Sequence, residues 1–298
     1  MAFHQLGIDE ASKEKTAFAV PFGLFEYNRL AMGLKNSPAT FQRTIGKIIA
    51  KIKHLGIDAF MDDLIVATKT IEEHVYALHM LYAALRKYNL KLKPEKSEVA
   101  MTEICYLGHH ISQNGLKPDP SKVEKILNLR APTNLKELQS VLGAFNFYRN
   151  YFRNYSEMIK YLLELTRKGV TWNWTQKCEQ SFRNILKAFA SNPILSHYED
   201  DADYEIRTDA SDKTIAAVLV KIKNGEKTVV RYESMSLKGH QLNWHINRKE
   251  FYAVNYALCK SLMLYIYGKH VNVYCDSMAV KNILGYIKVI LPVTRKWK

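Results

Sequence analysis

The chain has 298 residues, 47% of them hydrophobic, which is enough to bury a core and too many for a disordered tail. Lysine and arginine number 43 against 29 acids, and the resulting net charge of +14 favours a polyanionic partner such as nucleic acid. Four separated cysteines (Cys105, Cys178, Cys259, Cys275) form no CxxC pair, which argues against a disulfide framework or a zinc site and for a reducing compartment.

No apolar run reaches the roughly 18 residues a membrane span needs, so no membrane partner is expected. The opening "MAFHQLGIDE" has no basic segment followed by an apolar core, and does not read as a signal peptide. "KTAFAVPFGLFEYNRLAMG" predicts two strands around a Pro21–Gly23 turn. In "NSPATFQRTIGKIIAKIK", Ser37 is the expected N-cap and Pro38 the first helical residue. Phe41, Ile45, Ile48, Ile49 and Ile52 keep helical spacing behind them. "DAFMDDLIVAT" predicts a tight hairpin with Asp62 and Asp63 at its tip. Thr70 and Glu73 have capping-box spacing before a helix with Val75, Leu78, Leu81 and Leu85 on one face.

"EICYLGHHIS" reads as a strand pair. Three helices come next, signalled by Ser121 with Glu124, by Asn134 with Glu137, and by Thr175. Five acids in "HYEDDADYE" mark a change of composition and the expected boundary of the last domain. Beyond it come three strands, the second and third joined by Asn224–Gly225, then a long helix, the buried strand "VNVYCD" and another helix.

Two carboxylates about 4 Å apart repel by roughly 4 kcal/mol at an effective dielectric near 20, and a bound divalent cation reverses that cost. Taken alone, the Asp62–Asp63 pair reads first as a hydrophilic hairpin turn. The apolar runs on both sides favour a buried, metal-directed tip. A second acidic group recurs near the end: Asp209 ends a strand, Glu250 lies in the first turn or so of a helix, and Asp276 ends the buried strand "VNVYCD". Three acids on adjacent elements suit two-metal phosphodiester chemistry. Asp212 and Glu233 read as solvated turn or edge residues.

The stretches "AFHQLGID", "TAFAVPFGLFEYNRLAMGLKNSPATFQR", "FMDDLIVAT", "LKLKPEKSE" and "YLGHHIS" together resemble the reverse transcriptase of gypsy-type LTR retrotransposons. "GLKPDPSKVEKI", "LQSVLGAFNFYRNY" and "WTQKCEQSF" resemble the thumb and tether of the same Pol polyproteins. From "TDASD" onward the chain resembles their ribonuclease H.

The resemblance implies a mixed α/β (α+β) protein. Residues 1–115 would form the palm with part of the fingers, 116–199 the thumb and tether helices, and 200–298 a ribonuclease H-like mixed-sheet domain. It further implies RNA-directed DNA polymerase and ribonuclease H chemistry on an RNA template, a DNA primer, an RNA–DNA hybrid and deoxynucleoside triphosphates, with Mg²⁺ (or Mn²⁺) as cofactor. A dimer and a cytoplasmic, virus-like-particle location, or a nuclear one, are compatible with it. A non-catalytic nucleic-acid-binding remnant is the rival reading.

Carried over by residue, Asp62 and Asp63 match the palm metal pair, and Asp209, Glu250 and Asp276 match three of four ribonuclease H carboxylates. Phe3 matches the aromatic that disfavours a ribose 2′-hydroxyl, and Gly33 the glycine beside the incoming nucleotide. Lys35 and Gln42 lie in that same motif, and Leu107 and Gly108 match the turn that grips the primer end. His109 and His110 read as surface residues, and Phe145, Phe147, Tyr148, Tyr151 and Phe152 as a thumb-core stripe. Lys91, Lys93 and Lys96 face either a duplex backbone or solvent at a strand edge.

The family's first polymerase aspartate would stand three residues before Met1, and its fourth nuclease carboxylate beyond "LPVTRKWK". Residues 1–298 are therefore expected to be truncated at both ends and inactive in primer extension. Each 1.36 kcal/mol of lost transition-state stabilisation costs about tenfold in rate. Extension should be undetectable for this chain, appear when an upstream segment carrying that aspartate is joined to it, and vanish again with Asp62→Asn. Robust extension by residues 1–298 would refute the expectation.

Overall fold

The computed structural model describes residues 2–285. The chain divides between Thr102 and Glu103 into two compact units. The first unit opens with a short helix, α1 (Glu10–Lys13), and the hairpin β1 (Phe18–Val20) and β2 (Gly23–Phe25). Helix α2 (Ser37–Ile49), hairpin β3 (Ile57–Phe60) and β4 (Asp63–Val66), and helix α3 (Ile71–Lys87) complete it.

The expected apolar row, Phe41, Ile45, Ile48, Ile49 and Ile52, is buried at every position, against Ile57, Ala59, Leu81 and Leu85. Ser37 is not the cap. It is the first helical residue after Asn36, fully buried, with its hydroxyl donating to the Ala31 carbonyl at 2.7 Å. In α3, Thr70 caps as expected by accepting from the Glu73 amide, but Val75 is exposed and Ala77 takes its place on the core face with Leu81 and Leu85. The substitution follows the i, i+4, i+8 row, which spacing from Leu85 backwards selects.

In the second unit, β5 (Ile104–Tyr106), β6 (His109–Ser112) and β7 (Gly115–Pro118) form an antiparallel sheet. Strand β7 is not foreseen in the sequence pattern. Helices α4 (Pro120–Leu127), α5 (Leu135–Phe147), α6 (Tyr155–Met158), α7 (Lys160–Glu164) and α8 (Gln176–Ala190) enclose a core that includes Leu138, Phe145, Leu162, Phe182 and Phe189. Asn134 and Thr175 cap α5 and α8 as expected, whereas Asp119, not Ser121, caps α4 by accepting from the Ser121 amide.

The remaining elements are β8 (Asp203–Ala210), β9 (Thr214–Lys223), β10 (Glu226–Ser236), α9 (Ile246–Tyr256), α10 (Met263–Ile266), β11 (Val271–Tyr274) and α11 (Met278–Gly285). The sheet order is β10-β9-β8-β11, antiparallel except for β11, which runs parallel to β8. Asn224 and Gly225 both take the left-handed conformation that the two-residue hairpin between β9 and β10 requires. The expected single long helix is broken: a π-helical turn, Ala257–Ser261, separates α9 from α10. Strand β11 is half-buried, with Tyr274 exposed, so its expected full burial is not met.

Gly56 closes the base of the β3–β4 hairpin in a left-handed conformation (φ +78°), and a Cβ there would lie 2.0 Å from the Ala67 carbonyl oxygen. Gly46, inside α2, has open space around it. Gly56→Ala should destabilise the first unit by at least about 1–2 kcal/mol from the backbone conformation alone. Gly46→Ala should stabilise it by about 0.5–1 kcal/mol. Denaturant unfolding of both variants checks the opposite signs.

Candidate active sites

The hairpin register pairs Phe60 with Asp63, which leaves Met61 and Asp62 as a two-residue turn with Met61 in the left-handed region. Alternation buries Ile57 and Ala59 against α2 and turns Asp58 and Phe60 outward. Both acids at the tip are exposed, which corrects the expectation of a buried tip. The apolar flanks bury one face of the strands, not the turn that joins them.

What fixes the tip is Gln42 on α2. Its Nε2 donates to the Ala59 carbonyl at 3.0 Å, and its Oε1 accepts from the Met61 amide at 2.5 Å. The side chain expected among substrate contacts thus braces the turn from behind. Phe3 packs edge-on against Phe41 at 5.3 Å. Gly33 is left-handed (φ +89°) with open space about it, and Lys35 is exposed.

In the second unit, Leu107 and Gly108 form the β5–β6 turn, both at positive φ. The Tyr148 hydroxyl and the Asp119 amide donate to the Gly108 carbonyl at 2.8 and 3.1 Å. His109 is half-buried, hydrogen-bonded through Nδ1 to the Tyr151 hydroxyl at 2.8 Å and stacked on Phe147; burial lowers its pKa. His110 pairs with Glu103 at 3.2 Å. Neither histidine is the plain surface residue expected, because the first is packed under the aromatic stripe of α5 and the second is held by an acid. That stripe is core, as expected, except at exposed Phe147. Lys91, Lys93 and Lys96 are exposed in an irregular segment, so the strand-edge alternative does not hold.

The second acidic group does converge. Asp209 lies next to last in β8, Glu250 in the second turn of α9, and Asp276 just past β11. One carboxylate oxygen from each lies within 4.8 Å of the others, and among the described residues this is the one such group of three. The parallel β8–β11 register places the two aspartates side by side, and α9 crosses beside them.

Glu250 is 4% exposed. Its Oε1 accepts from the Ala210 amide at 3.1 Å, while Oε2 is buried without a partner. Burial, with the charges of Asp276 and Asp209 added, pushes its carboxyl up to about 7. An orphaned buried carboxylate oxygen facing two aspartates fits a divalent cation, whose charge would offset all three.

Three buried polar groups escape a reading of the sequence alone. Glu233, expected in solvent, is 5% exposed and paired with Arg231 at 2.6 Å. Glu205 is buried between Arg207 and Lys227, at 2.6 and 2.8 Å. Lys249 is 4% exposed and donates to the Asp212 carbonyl at 2.8 Å. A signal for Lys249 was present: with Glu250 it shares the helical row of Ala253, Val254 and Ala257.

A strand–helix–strand triad of carboxylates on a 3-2-1-4 mixed sheet defines a ribonuclease H-like domain, and in the chain it follows a unit with an exposed Asp-Asp hairpin. Residues 1–111 match the family "Reverse transcriptase (RNA-dependent DNA polymerase)" and residues 174–273 the "RNase H-like domain found in reverse transcriptase". The chain is 31% identical over 294 residues to the retrovirus-related Pol polyprotein from transposon 412 of Drosophila melanogaster, covering 98% of this chain and 24% of that protein. It is 32% identical over 254 residues to the transposon Tf2-3 polyprotein of Schizosaccharomyces pombe, covering 85% and 19%.

A solved foamy viral protease-reverse transcriptase in complex with an RNA/DNA hybrid matches with a TM-score of 0.81 at 29% identity, over 97% of this chain and 40% of that one. The chain belongs to the reverse transcriptase and ribonuclease H region of LTR-retrotransposon Pol polyproteins, and spans about a quarter of the length of the transposon 412 protein.

Because the Glu250 pKa is raised above its ordinary value of 4.5, the folded state binds this proton more tightly than the unfolded state. Its contribution to stability is full below about pH 4.5 and is lost as pH rises through 7. Without divalent metal the protein should lose up to about 3 kcal/mol of stability over that window. Glu250→Gln should flatten the profile, and added Mn²⁺ should restore the loss; denaturant midpoints across pH read both.

Proposed function

We propose that this chain carries the palm, thumb and ribonuclease H portions of an enzyme that copies RNA into DNA and cleaves the RNA strand of the hybrid. The observation that carries the reading is the convergence of Asp209, Glu250 and Asp276, with one Glu250 oxygen buried and unpartnered. Asp62 and Asp63 are the polymerase acids, presented to solvent on a braced turn. Phe3 and Gly33 belong to the nucleotide site with Lys35. Leu107 and Gly108 form the primer-gripping turn, which Tyr148 holds by its carbonyl.

The partners are an RNA template, a DNA primer, their hybrid, and deoxynucleoside triphosphates. The neighbouring foamy viral structures, solved with dsDNA and with RNA/DNA hybrid, support the nucleic-acid part. Mg²⁺ is the proposed ion at both acidic sites, with Mn²⁺ able to replace it; bound there, it would activate the attacking oxygen and stabilise the leaving one. Recognition would be by phosphate charge and hybrid shape, in keeping with the net charge of +14.

On residues 1–298, any cleavage of the RNA strand in a hybrid should be slow, favoured by Mn²⁺, and abolished by Asp276→Asn. Gel analysis of an end-labelled hybrid reads this directly. Cleavage that survives Asp276→Asn would overturn the assignment.

A further inference from the structure

Asp209 must stay within reach of Glu250 although it sits one residue from the end of β8, where the chain turns back toward β9. The turn residues Ser211, Asp212 and Lys213 are exposed. A turn of this kind, left to itself, opens easily. Two consecutive side chains of α9 reach it. Glu250 accepts from the Ala210 amide at 3.1 Å, and Lys249 donates through Nζ to the Asp212 carbonyl at 2.8 Å.

The lysine is the unexpected member. At 4% exposure its ammonium group has been withdrawn from water, a cost that a lysine normally avoids by reaching out to solvent. Its hydrogen bond lies on the far side of Ser211 from the one made by Glu250, so the two grip the turn on both flanks. The Leu237 amide donates to the Lys213 carbonyl at 2.8 Å, which also ties the turn to the end of β10. Ser211 and Thr214 close it internally through hydrogen bonds of 2.8 and 3.1 Å.

We propose that Lys249 is a positioning residue of the nuclease site: its ammonium group pins the Asp209 turn to the helix that carries Glu250, and so sets the spacing of two metal-ligating carboxylates. The proposal rests on the metal-site reading above. In this proposal Lys249 acts through the turn, not by contact with substrate or ion. Like partners behind ligands in other metal sites, it acts on ligand geometry and hence on affinity.

Lys249→Met keeps the length and bulk of the stem and removes the donor. In this variant the Ser211 and Thr214 amides should exchange with solvent about tenfold faster, while amides in the middle of β9 stay protected. The affinity of the chain for Mn²⁺, followed by electron paramagnetic resonance, should fall about tenfold, the lower end of what loss of such a partner costs. Should Lys249→Met fail to fold, Lys249→Leu, which also lacks a donor, is read the same way.

Unchanged exchange at Ser211 and Thr214 would overturn the tether, whatever the metal does. Faster exchange with unchanged Mn²⁺ affinity would overturn the positioning role. Asp276→Asn binding Mn²⁺ as tightly as the parent would instead refute the metal site, while the exchange measurement still decides the tether.

Discussion

Three carboxylates that converge within 4.8 Å repel one another, and one of them has almost no access to water. Everything around Asp209, Glu250 and Asp276 can be understood as holding that arrangement against its own electrostatics. The β8–β11 register brings the aspartates together through backbone hydrogen bonds, which do not weaken when the acids repel. Helix α9 then brings Glu250 in from a buried face, where the Ala210 amide satisfies one oxygen and leaves the other for a cation. Raising its pKa to about 7 is how the chain tolerates the cluster when no ion offsets it.

The Asp62–Asp63 hairpin solves the same problem differently. Asp62 and Asp63 are exposed, so water screens them and no buried charge has to be matched. Their position is fixed through the backbone instead. The Gln42 amide spans the turn with a donor and an acceptor, and the buried residues Ile57 and Ala59 fasten the strand beneath it to α2. One site is therefore built by burial and register, the other by a surface turn braced from behind.

The order of elements was legible in the sequence because most are announced locally. Thr70, Asn134 and Thr175 stand where a cap is needed, and Asn224–Gly225 marks the hairpin. The Phe41-to-Ile52 row was equally plain, since its period is helical and its residues unambiguous. Ser37 and Ser121 misled because Asn36 and Asp119 precede them at the cap positions: Asp119 caps with its side chain, whereas Asn36 makes no side-chain capping bond and Ser37 turns its hydroxyl inward to the Ala31 carbonyl. The buried charges at Glu205 and Glu233 were not legible, and Lys249 was so only through the helical row it shares with Glu250. Each is offset by a partner on another strand, further along its own strand or across a turn, such as Lys227 for Glu205, and pairing of that kind arises only once the chain has folded. The three converging acids could be named from the sequence, but the orphaned Glu250 oxygen could not.

The parallel pairing of β11 with β8 sets an order of events during folding. Strands β8, β9 and β10 meet through short hairpin connections, whereas Val271 must find Tyr204 after β9, β10 and α9 have intervened. Closing so long a loop is slow compared with closing a hairpin. On a ribosome the three antiparallel strands and α9 can settle before β11 has been made, so Asp209 and Glu250 are in place while Asp276 is still missing. The carboxylate cluster is thus the last part of this sheet to mature, and a chain caught partway through folding holds only two of its three acids.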